Sequence, residues 1–161
     1  MPATIRVATP DDIERFVPLF LGLARYNRSH HPQDDDFQAV LRARAEDARV
    51  VIEPRPASRT FLATDPQGAL LGYLWATVYQ PGPAATNGTM LTGVIAELYV
   101  EEGARGRGTG TALSLAANAW FRQVGVGRLK VEAFAWNDEA ISFYRKIGYD
   151  VAAVTLMRPL R

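Results

Sequence analysis

The sequence predicts an α/β fold, a central twisted mixed β-sheet flanked by helices, and three observations predict it. Val94 to Val100 is an apolar run, followed by a glycine-rich stretch, a helical stripe and a further strand pattern at Arg128 to Trp136. Such a crossover is right-handed and joins parallel strands. Arg59 to Thr64 and Ala69 to Tyr79 flank the turn Asp65-Pro66-Gln67-Gly68, which predicts an antiparallel hairpin ahead of it. Two helical patterns precede the hairpin. At 161 residues and 48% hydrophobic composition, the chain is expected to build one core and a single domain over 1–161.

In order, Thr4 to Thr9 alternates as a short strand. Thr9-Pro10-Asp11-Asp12 supplies a helix start, with proline at the first position and acids in the first turn. The first helix is predicted to about Arg25, with Ile13, Phe16, Val17, Phe20, Leu21, Leu23 and Ala24 inward. Pro18 removes one amide donor and is expected to kink or split it. Tyr26 to Asp36 is polar and turn-rich, and Phe37 to Ala48 reads as a second helix with Phe37, Val40, Leu41 and Ala45 inward. Residues 80–88, with two prolines and two glycines, form an irregular lip. In the central strand, alternation places Ile95, Glu97 and Tyr99 on one face and Val94, Ala96, Leu98 and Val100 on the other. The next helix carries Ala112, Leu113, Ala116, Ala119, Trp120 and Val124 inward and stops at Gly125; Asp138 to Ile147 is a last helix ended by Gly148, and Asp150 to Met157 a last strand.

Composition narrows the function. With 18 basic and 17 acidic residues interspersed, no broad basic field serves nucleic acid or membrane. Without cysteine there are no disulfides, thiolate metal sites or acyl-cysteine route, and two histidines lack zinc-site spacing, so no metal is expected. The start has no apolar signal region and no stretch approaches a membrane span, which predicts a cytoplasmic protein.

The most informative stretch is Arg105-Gly106-Arg107-Gly108-Thr109-Gly110. Glycines let the backbone turn sharply, and the unpaired amides at the start of the following helix, with its dipole, make an anion site. A nucleotide-triphosphate loop is excluded because Thr109-Gly110 stands where Lys-Ser/Thr is needed. The dinucleotide fingerprint fails as well, since counting from Gly106 or Gly108 ends on Thr111 or Leu113 instead of glycine. What remains, Arg105-x-x-Gly108-x-Gly110, resembles the Arg/Gln-x-x-Gly-x-Gly/Ala loop of the GCN5-related N-acetyltransferase (GNAT) family. Asn137-Asp138-Glu139-Ala140 and Tyr144-Arg145-Lys146-Ile147-Gly148-Tyr149 are similar to that family's Asn-x-x-Ala and Tyr-x-x-Gly-Phe/Tyr, in the same order. The resemblance is close from about Val94 to Tyr149.

The resemblance implies an N-acetyltransferase that moves acetyl from acetyl-coenzyme A directly to a primary amine in a ternary complex. It places the pyrophosphate on Arg105, Gly106, Arg107, Gly108, Thr109, Gly110 and Thr111, and the pantetheine arm beside Leu98, Tyr99 and Val100, where the family's strand bulges. Tyr144 takes the position of the general acid, and Asn137 contacts the coenzyme or caps its helix. The branch most similar acts on diamines and polyamines, while amino acids, aminoglycosides and protein N-termini or lysines are acceptors of related branches. A lysine-like ammonium near pKa 10.4 is a free amine in only about one molecule in 2,500 at pH 7, so a carboxylate base is wanted. Glu97 is the candidate, with Glu132 a weaker one, although Glu97 suits a structural ion pair equally well. A phenol keeps its proton at pH 7, as the departing thiolate requires, and Tyr144 otherwise simply packs on its helix. Tyr26, His30, His31, Asp34 to Asp36 and Tyr79 are candidates to bind the amine; the charged ones equally suit a solvated loop or a helix cap. A homodimer is a possible partner state, and a catalytically silent coenzyme-A-binding sensor is the alternative function.

Overall fold

The computed structural model describes residues 3–33 and 35–160. The described chain divides after Val131 into two compact units. The first holds a five-stranded sheet in the order β1 (Thr4–Val7), β2 (Ser58–Thr64), β3 (Leu70–Tyr79), β4 (Thr92–Val100) and β5 (Arg128–Val131). The first four strands pair antiparallel in sequence order, and β4 pairs parallel with β5 across the crossover. The sheet is therefore mixed, with its parallel pair at the predicted crossover.

Helices α1 (Ile13–His30) and α2 (Phe37–Ile52) cover one face and α3 (Thr109–Gln123) the other. Neighbouring residues of a strand point to opposite faces. Leu62 and Tyr73 accordingly join Phe16, Leu19, Phe20, Ala48, Val51 and Ile52 in one apolar cluster. Phe61, the neighbour of Leu62, instead stacks near Trp120 of α3, ring centroids 6.4 Å apart.

Several boundaries differ from the sequence reading. Pro18 does not split α1, which runs on through Tyr26 to His30. Proline lies in its second turn, where only one intrahelical bond is lost. In α2 the buried residues are Ala48, Val51 and Ile52, while Val40 is exposed, because the helix continues beyond Ala48 and its stripe runs through 41, 45, 48 and 52. A Thr9/Asp12 capping box and a 3₁₀ turn over Pro10–Asp12 precede α1, and Arg6 reaches the Asp12 carboxylate from β1, Nη1 to Oδ2 at 2.7 Å.

The second unit contains α4 (Asp138–Lys146), closed by Gly148 at φ 99°. Strand structure stops at Val131 and does not reach Trp136. The last strand expected over Asp150 to Met157 is absent: residues 150–160 carry no regular structure, and Val154, Leu156 and Met157 stand exposed. A strand needs a ladder partner, and this segment has none in the sheet.

Candidate active site

β4 departs from regular pairing in its middle. Trp75 of β3 faces Glu97 while the next residue, Ala76, faces Ile95, so Ala96 is an extra residue, a β-bulge. The bulge re-aims everything after it. Paired residues share a face, so Ile95 goes with Ala76 and Glu97 with Trp75, onto opposite faces. Sequence alternation, which put Ile95 and Glu97 together, is corrected here. Glu97 and Tyr99 thus face α1 and α2.

The bulge also ends the pairing with β5, which covers only Thr92 to Ile95 against Arg128 to Val131. This accounts for the early end of β5. Beyond it, β4 has a strand partner on the β3 side alone among the described residues. The Glu101 amide donates to the Leu71 carbonyl at 2.8 Å, and with backbone directions alternating, Tyr99 and Glu97 turn theirs to β3 while Leu98 and Val100 turn theirs to the open edge.

After β4 and a 3₁₀ turn (Glu102–Ala104), the chain enters the glycine loop. Gly106 and Gly108 have φ of 70° and 81°, left-handed values that a Cβ would strain, and Gly108 is the N-cap of α3. Helix geometry leaves the amides of Thr109, Gly110 and Thr111 without intrahelical acceptors, at the positive end of the dipole. The loop is anchored by Arg105: its Nε donates to the Val100 carbonyl at 2.9 Å, and its guanidinium lies over the rings of Tyr26 (4.7 Å) and Tyr99 (5.8 Å). These contacts tie the loop to α1. Arg107 is part of the lining of a cleft of about 430 Å³, with Asp65, Leu71, Glu101, Gly103 and Thr109. Two carboxylates against one guanidinium suit that cleft poorly to phosphate.

Glu97 lies at the centre of a polar cluster drawn from four elements. Arg44 of α2 donates from Nη1 to Oε1 (2.8 Å) and from Nη2 to Oε2 (2.6 Å), and the Tyr73 hydroxyl of β3 donates to Oε2 at 2.6 Å. Arg44 Nε donates to the Phe20 carbonyl of α1 at 2.9 Å, and its guanidinium stacks 3.7 Å from the Phe20 ring. Burial, reinforced by the charge of Glu97, pushes the Tyr73 phenol well up. Burial, the largest single influence, lowers the Arg44 guanidinium, but the bonds and charges of Glu97 and Tyr73 together outweigh it and the net shift is upward. Sequence reading missed Arg44 and Tyr73. The signal for Arg44 was present, since it interrupts the inward stripe of α2 between Leu41 and Ala48 with a charge that needs a partner.

The predicted acceptor residues do not gather at one place. Tyr26 stacks with His30 at 4.3 Å, one helical turn on, and on Arg105. Asp35 pairs with Arg28, Asp36 caps α2 through the Ala39 amide, and Asp34 lies outside the described residues. Tyr79 is exposed opposite Thr92, at the other end of β4 from Tyr99, roughly 23 Å along the strand. Among the described residues no group of three or more His, Cys, Asp or Glu could hold a metal ion.

In the second unit, Asn137 accepts from the Ala140 amide at 3.0 Å, so it is the N-cap of α4. Tyr144 is buried, its ring edge-on to Phe143 and Tyr149 at 5.2 and 5.5 Å. Burial, with a smaller contribution from Tyr149, pushes its phenol far up, so it holds its proton.

The model of the acetyltransferase (GNAT) family matches residues 19–149. The chain belongs to this family. It is 28% identical to a mycothiol acetyltransferase of Arthrobacter sp. (strain FB24), over 88% of this chain and 44% of that protein. The chain thus spans less than half the length of that curated relative. Among solved structures, a mutant form of the BH1408 protein from Bacillus halodurans superposes with a TM-score of 0.84 at 20% identity, covering 98% of this chain and 99% of the other. AAC(6')-Iy in complex with the bisubstrate analog CoA-S-monomethyl-acetylneamine gives 0.73 at 15% identity, covering 100% and 99%. At these identities the likeness establishes the GNAT fold.

Proposed function

We propose that this GNAT chain is an acyl-CoA-dependent N-acetyltransferase, one catalytic domain over 1–161, acting on a primary amine of a small molecule. The observation that carries this is the left-handed Gly106 and Gly108 turn feeding the bare N-terminus of α3, at the end of a strand whose bulge leaves one edge open. This arrangement fits a diphosphate and an extended amide-bearing arm. The amides of Gly108 to Thr111 would hold the phosphates, and the Leu98 amide and carbonyl with the Val100 amide would pair with the arm, the Val100 carbonyl being taken by Arg105. Asn137, as the cap of α4, is retained as a coenzyme contact. When bound, acetyl-CoA supplies an acetyl group activated as a thioester.

Glu97 takes the proton of the acceptor ammonium, whose nitrogen then forms the C–N bond to the acetyl carbon. Tyr144 gives its phenol proton to the sulfur as the C–S bond breaks. The relatives named mycothiol acetyltransferases, and a neighbour bound to an acetylneamine analog, support amino-bearing small molecules as acceptors. Diamines, polyamines and amino acids complete the set to be tried. Cytoplasmic residence and a homodimer belong to the same proposal, checked by cell fractionation and light scattering.

The experiment is thiol release from acetyl-coenzyme A with glucosamine, kanamycin, spermidine, putrescine, single amino acids and an alanine-led tripeptide, with coenzyme binding followed by calorimetry. Release with one class fixes reaction and acceptor together. Binding without release from any of them favours the silent coenzyme-A sensor, and absence of binding refutes the proposal.

A further inference from the structure

The Glu97 carboxylate is held more tightly than a solvated base. An ionised carboxylate has about four acceptor positions. Arg44 Nη1 occupies one on Oε1, Arg44 Nη2 and the Tyr73 hydroxyl occupy both on Oε2, and one position is left, on Oε1. Arg44 is immobilised in turn: its Nε is spent on the Phe20 carbonyl, its face lies on the Phe20 ring, and Nη2 also approaches the Tyr73 oxygen at 3.1 Å. The side chains of Arg44 and Glu97 retain only 19% and 16% of their exposure, so water competes weakly for these bonds.

We propose that Arg44, aided by Tyr73, is the positioning residue of the acetyl-transfer site: it fixes Glu97 in one orientation and directs proton capture to its single open position on Oε1. The inference rests on the reading of Glu97 as the base. The planar guanidinium is essential to it. A lysine ammonium could charge-balance Glu97, but it could not grip both oxygens while also reaching the Phe20 carbonyl. A second consequence concerns charge. With Arg44 beside it, the Glu97–Arg44 pair carries no net charge, so the acceptor ammonium is met by a hydrogen-bond acceptor of defined direction more than by an anionic field.

A purely structural ion pair would lose stability on disruption while the folded enzyme kept its turnover. Four variants of the full chain separate the two roles: Glu97→Gln, Arg44→Met, Arg44→Lys and the double Arg44→Met/Glu97→Gln. Each is measured for kcat and KM with acetyl-coenzyme A and whichever of glucosamine, kanamycin and spermidine is fastest, for coenzyme affinity, and for thermal unfolding. Glu97→Gln is expected to lower kcat by about 10²- to 10³-fold, Arg44→Met by a similar factor and Arg44→Lys by about 10-fold, all with coenzyme affinity unchanged. The double variant is expected to be no slower than Glu97→Gln alone, because both changes remove one function.

Wild-type kcat in Arg44→Met, with Glu97→Gln impaired, overturns the positioning role and leaves the base standing. Multiplying losses in the double variant also overturn it, since Arg44 would then act independently of Glu97. Wild-type kcat in Glu97→Gln removes the base reading and this inference with it. A crystal structure of Arg44→Lys supplies a test free of any acceptor: Glu97 is expected in more than one orientation, and a single unchanged orientation overturns the proposal.

Discussion

The glycine loop and the Glu97 cluster, both reached from β4, are built on opposite principles. In the loop, chemistry is carried by the backbone: left-handed glycines and the first amides of α3 come from one short stretch of sequence. In the cluster, chemistry is carried by side chains, and the four contributing elements bring together Phe20, Arg44, Tyr73 and Glu97. The first tolerates changes in side-chain identity as long as φ is preserved. The second depends on every partner and on the bulge that turns Glu97 toward them. Arg105 belongs to both worlds, a loop residue whose side chain also anchors the loop to α1.

The contrast can be broken by mutation. The largest effect expected is on the proposed proton donor: Tyr144→Phe should lower turnover by about 10²- to 10⁴-fold in thiol-release assays, with coenzyme affinity unchanged. Unchanged turnover would remove the acid assignment. Next is Gly108→Val, where a β-branched residue must adopt φ near 81° at the N-cap of α3. At a cost of about 1–3 kcal/mol, coenzyme affinity measured by calorimetry should fall by roughly 10- to 100-fold. Gly108→Ala should lose less, and full affinity in both would move the phosphates away from this loop.

Stability tests the frame that both regions share. A Cβ on Gly72 would lie 2.6 Å from the Tyr99 carbonyl oxygen, a backbone atom that cannot step aside. Gly72→Ala should therefore cost about 1–3 kcal/mol in urea unfolding, by forcing β3 from β4 just where β4 carries the site. The smallest effect expected is at Asp12. The Arg6 guanidinium, against opposing burial, and the Thr9 amide lower its carboxyl to about 2. A carboxyl depressed on folding stabilises above its unfolded pKa of about 3.9, and the benefit is lost as pH falls toward the folded value. With Arg6 partly solvated, the contribution is about 1 kcal/mol or less. Asp12→Asn should thus unfold at lower temperature than the wild type at pH 7, and the difference should close between pH 4 and pH 2.

How much could be read from sequence follows the same contrast. The order of strands and helices, the hairpin, the crossover and the loop glycines were legible because each is a local pattern. A bulge was implied only by the family resemblance, and its position at Ala96 was not legible, since it exists only in the pairing with β3; plain alternation therefore put Glu97 on the face of Ile95. Tyr144 is buried among rings and Asn137 caps its helix, local roles that the sequence offered beside the general-acid and coenzyme-contact roles the motifs imply. The Arg44–Glu97 pair, 53 positions apart, left only the trace of a charge on an inward stripe. The stretch after Asp150 was overread: apolar residues favour a strand, but a strand is a property of two chains segments together, and this one has no partner in the sheet.

The most direct measurement is the backbone amide spectrum of the protein during titration with coenzyme A. Binding in the glycine loop predicts the largest shifts at Gly106, Gly108, Thr109, Gly110 and Thr111, with Leu98 and Val100 following. Unmoved loop amides, with shifts instead at Asp65, Leu71 and Gly103 around the neighbouring cleft, would contradict the assignment of the coenzyme to the start of α3.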